Sequence, residues 1–143
     1  MTRFLRLLLL SLLISGCAAT PPPTRPGLLD TYWRPVEIDG NPVLIHPGTR
    51  EPHLVLSKEG SRTNGYAGCN AFSGPFVHAG DALRFGPLAV TQRACIADEG
   101  NTLEASFLRA LGATASQRIT GESLELRDAA GKTRMRLESR VLR

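Results

Sequence analysis

The sequence predicts an α+β domain that is mostly antiparallel β, a curved sheet with one inserted helix. Two observations carry this. From Leu28 onward, short runs of alternating apolar and polar residues are broken by Gly, Pro, Asn and Asp every several positions, as expected of antiparallel strands joined by tight turns. A single segment, "NTLEASFLRALG", departs from that period of two. It sets Leu103, Phe107, Leu108 and Leu111 on one helical face.

Taken in order, "TYWRPVEI" opens the domain with Trp33 as a core anchor. Pro35 has no N–H for a ladder, so this strand is expected at an edge or with a bulge. "GNPVLIHPG" reads as a short strand between turns. "HLVLSKEGSRTNGYAG" reads as a hairpin with Leu54 and Leu56 facing one way, a turn at Lys58–Gly60, and a return through Thr63, Gly65 and Ala67. "FSGPFVHAGDALRF" alternates again, with Phe72 and Phe76 on one side, a turn at Ala79–Asp81, then Leu83 and Phe85.

The helix follows, with Asn101 as the expected N-cap, Glu104 completing a near capping box and Gly112 as the left-handed C′ residue. Such a helix is expected to cover the open side of the sheet. "QRITGESLELRDAAGKTRMRLES" then supplies three strands, turning at Gly121–Glu122 and Asp128–Gly131. Leu124, Leu126, Met135 and Leu137 are expected to point inward, and Glu125, Arg134, Arg136 and Glu138 outward. The total is about eight or nine strands.

Upstream, Arg3 and Arg6 precede the apolar run "LLLLSLLI", which is far shorter than the roughly 20 residues of a bilayer span. It reads as a secretory signal. "ISGC" at Ile14–Cys17 resembles a bacterial lipobox, which implies cleavage before Cys17 and acylation of that residue. The expected layout is a signal peptide over 1–16, an acylated Pro-rich tether over 17–27, a folded domain over 28–139 and a tail over 140–143. The tether "AATPPPTRPG" favours an extended polyproline II path. Several acyl chains exceed the single chain that binds only marginally. Ala18 after the cysteine, in place of aspartate, resembles lipoproteins sorted to the outer membrane. The expectation is a lipid-anchored, periplasm-facing protein.

The chain has 17 basic and 13 acidic side chains; loss of residues 1–16 removes two bases and no acids, leaving a charge near +2. That is too small and scattered to argue for nucleic acid. The remaining 127 residues suit one domain with its own core.

Three cysteines are present. A catalytic thiol needs a base, and His46, His53 and His78 lie in expected loops or strand ends with no supporting acid or amide motif. There is no Cys-x-x-Cys, His-x-x-x-His or carboxylate cluster at ligand spacing, so no metal or other cofactor is indicated. A serine-hydrolase elbow is missing too, and no helix follows the glycine-rich "GYAGCNAFSG" to cradle phosphate. Gly65 and Gly68 are read as backbone requirements, a positive φ or a close approach. With Cys17 acylated, Cys69 and Cys95 are left in an oxidising compartment and are expected to form a disulfide; the rival reading is two reduced cysteines packed side by side. The bridge would close a loop of about 27 residues, about 3.5 kcal/mol in the chain-entropy account.

"NGYAGCNAFSGPF", "LRFGPLAVTQRAC" and "EASFLRAL", with the opening tryptophan strand, resemble the successive signatures of the META domain, also called the HslJ-like family, over about residues 28–139. The resemblance implies a β-rich fold like a cracked barrel with one helix, close to that of small lipoprotein pilots of secretion pores. It implies little about activity; the family is linked in a general way to heat stress, drug tolerance and, in parasites, virulence. Asn70 and Thr91 match family positions. Both read as structural, a short polar side chain satisfying backbone at a corner, with a binding role as the alternative.

The function expected from these features is that of a non-catalytic envelope lipoprotein. It would bind a protein, peptide or lipid partner during stress or assembly. The alternatives are a periplasmic thiol-redox factor using Cys69 and Cys95, against which their spacing argues, and an inhibitor of a cell-wall hydrolase.

Overall fold

The computed structural model describes residues 25–95 and 98–140. The signal peptide, Cys17, most of the tether and the last three residues of the expected tail lie outside the described residues. Among those described, no helix is long and apolar enough to cross a membrane.

Among the described residues there are ten strands and one α-helix. The strands are β1 (Tyr32–Ile38), β2 (Asn41–Pro42), β3 (His53–Ser57), β4 (Arg62–Tyr66) and β5 (Ala71–Ala79), followed by β6 (Ala82–Phe85), β7 (Ala89–Val90), β8 (Ser116–Thr120), β9 (Ser123–Arg127) and β10 (Thr133–Arg140). The helix, α1, spans Asp98–Ala113 between β7 and β8.

All pairings are antiparallel, in the order β10-β9-β8-β6-β5-β4-β3-β1, and β1 returns to β10 to close an eight-stranded barrel. The barrel is therefore not cracked as the family resemblance implied. Its closing ladder is long, running from Tyr32 opposite Arg140 to Ile38 opposite Met135. Arg140, expected in the tail, is thus the last residue of β10. The two-residue strands β2 and β7 lie off the ring, paired with β1 and β5.

Pro35 sits in this closing ladder and not at an edge. The register shifts between Pro35 and Glu37, so the bulge absorbs the missing donor. Outside the barrel, Arg34 pairs with Glu138 at 3.0 Å and Arg136 with Glu37 at 2.9 Å across the same seam. Such exposed pairs add little stability individually, but they fix which residues stand opposite one another.

The core follows the alternation. Trp33, Leu54, Leu56, Leu83, Leu124, Leu126 and Leu137 are fully buried, Met135 nearly so, and Phe72 and Phe76 complete the lining. Trp33 donates its indole N–H to the Leu28 carbonyl at 3.1 Å, so its polar atom is satisfied inside.

Helix α1 packs against β1, β6, β9 and β10. It buries Phe107, Ala110 and Leu111, and Phe107 meets Phe72 with ring centroids 5.4 Å apart. The helix starts three residues before the expected Asn101 cap. Glu99 then falls in the first turn, where negative charge is favoured by the helix dipole. Gly112 lies inside the helix and not after it; the chain leaves at Thr114, whose hydroxyl donates to the Ala110 carbonyl at 2.8 Å.

Candidate functional site

The corner between β4 and β5 holds "AGCNA". Gly65, in β4, allows a close approach: a Cβ there would stand 2.1 Å from the His53 carbonyl oxygen and 2.6 Å from Phe72 Cζ. Gly68 has φ +119°, and a Cβ on it would meet Leu103 Cδ2 at 2.9 Å. The corner can therefore lie directly on the helix because Gly68 lacks a side chain, while the bare Gly65 lets β3 and the Phe72 ring close over β4.

Cys69 is joined to Cys95 by a disulfide, with the Cα atoms 5.6 Å apart. The bridge ties the corner to the segment that leads from β7 into α1. The two sulfurs and a Glu104 carboxylate oxygen lie within 4.8 Å of one another. With the sulfurs bonded together neither offers a thiolate, which metal coordination by cysteine requires.

Asn70, only 5% exposed, is the hub beside the bridge. Its Oδ1 accepts from Thr91 Oγ1 at 2.9 Å and from the Arg93 main-chain N–H at 2.7 Å. Its Nδ2 donates to the Arg93 carbonyl at 3.2 Å and to Glu104 Oε1 at 3.3 Å. The Asn70 main-chain N–H donates to Glu104 Oε2 at 2.7 Å, and Thr91 Oγ1 accepts from the Ala71 N–H at 3.1 Å. Strand corner, loop and helix are thus tied by one side chain. The spacing predicts a capping-box role for Glu104; the earlier helix start places it in the second turn, where its carboxylate accepts from Asn70.

A groove of about 1060 Å³ opens on the outer side of this corner. One wall is the irregular segment after β2, with Val43, Leu44 and Ile45; the other is the face of α1 carrying Leu103 and Arg109. The disulfide and Arg93 form part of its lining. Leu44 is 72% exposed, one of two large apolar side chains so open among the described residues; the other, Val77, is on β5 away from the groove. Arg50 also lines the groove and lies 4.5 Å over the Tyr66 ring.

The three histidines occupy different elements. His46 lines the groove, 3.4 Å from Glu99, a partner that the sequence did not suggest. His53 stacks on Tyr32 with ring centroids 4.5 Å apart, its Nδ1 3.1 Å from the Glu51 carbonyl. Burial holds the His53 imidazole below its usual value, whereas burial and the adjacent Glu51 push the Tyr32 hydroxyl up. His78 is exposed, opposite Leu83 in the β5–β6 hairpin. No two of them converge on one point of the groove.

The residues that sequence reasoning missed are Glu104 as an acceptor and the groove set Leu44, Arg50, Arg93 and Arg109. Only the helix register could have indicated Glu104. The groove set has no period to reveal it.

The family model of the META domain matches residues 26–141. No curated protein matches the chain. Among solved structures, an NMR structure of a protein from Burkholderia xenovorans is similar at 24% identity, with a TM-score of 0.63 over 80% of this chain and 85% of that one. A second NMR structure is 22% identical, with a TM-score of 0.59 over 76% of this chain and 87% of the other. Both likenesses concern the fold.

Proposed function

This chain belongs to the META domain family, and from that premise we propose that it is a non-catalytic binding module, anchored to a bacterial outer membrane through acylated Cys17 and facing the periplasm. The observation that carries the reading is the groove. It is concave, its lining combines apolar side chains with polar and charged ones, and at about 1060 Å³ it stands at the upper end of the size usual for ligand sites.

The polar residues nearest the disulfide support binding over chemistry. Asn70 directs both side-chain atoms at protein groups, and Thr91 uses its hydroxyl to join Asn70 to the Ala71 N–H. The disulfide then acts as a staple on the groove wall. A role in stress tolerance or envelope assembly rests on the family resemblance alone.

The test uses the full chain in intact cells, with a photoreactive residue at position 44 or, as a control, at position 77. Both sites carry exposed apolar side chains, on different faces. An adduct that forms at 44 and not at 77 is the expected result. Equal labelling at both positions, or none at 44, refutes the groove as the binding site. The Cys17→Ala variant should move to the soluble periplasm; a wild-type chain recovered there without acyl groups refutes the anchor.

A further inference from the structure

We propose that the groove takes a single-chain anionic lipid, its carboxylate or phosphate head held by Arg50, Arg93 and Arg109 and its acyl chain laid along Leu44, Ile45 and Leu103. This rests on the groove being the binding site and assigns the class of ligand.

The charge balance of the lining comes first. Of the acidic side chains described there, Asp39 has its Oδ1 2.9 Å from Arg134 Nε, and Glu99 faces His46 at 3.4 Å. Among the residues whose side chains are described, Arg50, Arg93 and Arg109 have no carboxylate within ion-pair distance. Arg50 rests on the Tyr66 ring, and Arg109 donates only to Ser106 at 3.2 Å. Three guanidinium groups with spare donors around one concavity favour a head group that accepts several hydrogen bonds at once.

The apolar part argues for a chain. Leu44 is mostly solvated at the lip, Ile45 follows it, and Leu103 is packed against Gly68, where even a Cβ would intrude. An exposed leucine beside a cleft is covered at low cost by a flexible hydrocarbon.

An extended peptide fits less well. Peptides of that kind gain affinity by adding a strand to a free edge. The barrel is closed, and the strand edge at the groove belongs to β2, two residues long, one of them Pro42 with no N–H to give.

The experiment is calorimetric titration of the full chain with dodecanoate below its micellar concentration, alongside dodecanol, inorganic phosphate and an acidic peptide with apolar side chains. Residues 1–24 are common to all variants, so differences between variants report the groove. Dodecanoate is expected to saturate one site, with dodecanol and phosphate each at least tenfold weaker. The combined Arg50→Gln, Arg93→Gln and Arg109→Gln variant should bind at least tenfold more weakly, and Leu44→Gln several-fold more weakly. Arg109→Gln alone, on the exposed helix surface, gives a smaller loss should the combined variant prove unfolded by its melting curve. Failure of dodecanoate to bind, or binding unchanged in Arg109→Gln and Leu44→Gln, overturns the proposal. Saturation by the acidic peptide without dodecanoate also overturns it but leaves the groove as the site. Silence from every probe together with no adduct at position 44 removes both.

Discussion

Replacing Asn70 by aspartate tests whether the corner is held as described, because the change is nearly isosteric and reverses one hydrogen-bonding group. The retained oxygen still accepts from Thr91 and Arg93, but the former amide position becomes an oxygen facing Glu104 Oε1 at 3.3 Å and the Arg93 carbonyl at 3.2 Å. Two unit charges at that separation repel by about 5 kcal/mol at an effective dielectric of about 20. The pair can escape by keeping one proton; holding a carboxyl of ordinary pKa near 4 protonated at pH 7 costs about 1.4 kcal/mol for each of about three pH units, or about 4 kcal/mol. The cheaper route limits the penalty, so Asn70→Asp should destabilise by about 4 kcal/mol at pH 7. The introduced carboxyl has its folded pKa raised above the unfolded value. Its penalty is therefore absent below about pH 4 and grows as the pH rises. Urea unfolding at pH 7 and pH 4.5 reads both ends. Adding Glu104→Gln to Asn70→Asp restores a donor for the new carboxylate and keeps an oxygen for the main-chain N–H, so at least half of the loss should return. A deficit under 1 kcal/mol at pH 7, one of equal size at both pH values, or no recovery in the double variant would show the network to be wrongly drawn.

Other expectations are simpler. Gly65→Ala should prevent folding, since its Cβ would stand 2.1 Å from a carbonyl oxygen in the neighbouring strand, whereas Gly112→Ala, with open space at that point of the helix, should add about 0.5–1 kcal/mol; thermal melts of the two separate them. Reducing the disulfide, or replacing both cysteines by alanine, should cost about 3.5 kcal/mol by loop closure alone, and a stability unchanged by reductant in chemical unfolding would refute it. Folding stability should fall as the pH drops below about 6.5, because burial depresses the folded pKa of His53 and the unfolded chain then binds the proton more readily; His53→Phe should abolish that slope. At lower pH a second loss should begin below about 4.5, where Glu125, held down chiefly by its hydrogen bond from Arg127, takes up a proton in the unfolded chain first; Arg127→Gln should shrink it. Phe107→Ala, at a fully buried position, should cost about 3–5 kcal/mol.

The strands were legible because a barrel wall has one dry face and one wet face. Leu124, Leu126, Met135 and Leu137 are inward, while Glu125 and Arg136 meet across the outer surface. Closure was not legible, because the β1–β10 ladder joins segments about a hundred residues apart, as Arg34 and Glu138 show, and alternation carries no information on which strand is the neighbour. Pro35 suggested an edge or a bulge; only the paired structure decides between them. The helix boundary moved because residues 98–100 include no apolar side chain to register in a periodic pattern, while the negative charge of Glu99 is still favoured at the N-terminus. The disulfide could be inferred from a count and a compartment, but its partner network could not, since Glu104 reaches Asn70 over 34 residues.

The residues that made the family recognisable and those that shape the groove divide by role. Gly68, Cys69, Asn70, Thr91 and Cys95 are consumed in building the corner, through absent side chains, a covalent bond and hydrogen bonds to main chain. A polar side chain whose atoms are already paired inside the fold has little left to offer a ligand without losing those bonds. Leu44, Arg50 and Arg109, which line the groove, come instead from an irregular loop and from the exposed flank of the helix. Arg93 joins the two sets: its main chain is held by Asn70 while its side chain is exposed at the groove. The staple and the network thus hold a cation at the groove wall on a rigid support, the condition under which a few guanidinium groups select a head group instead of adapting to any anion.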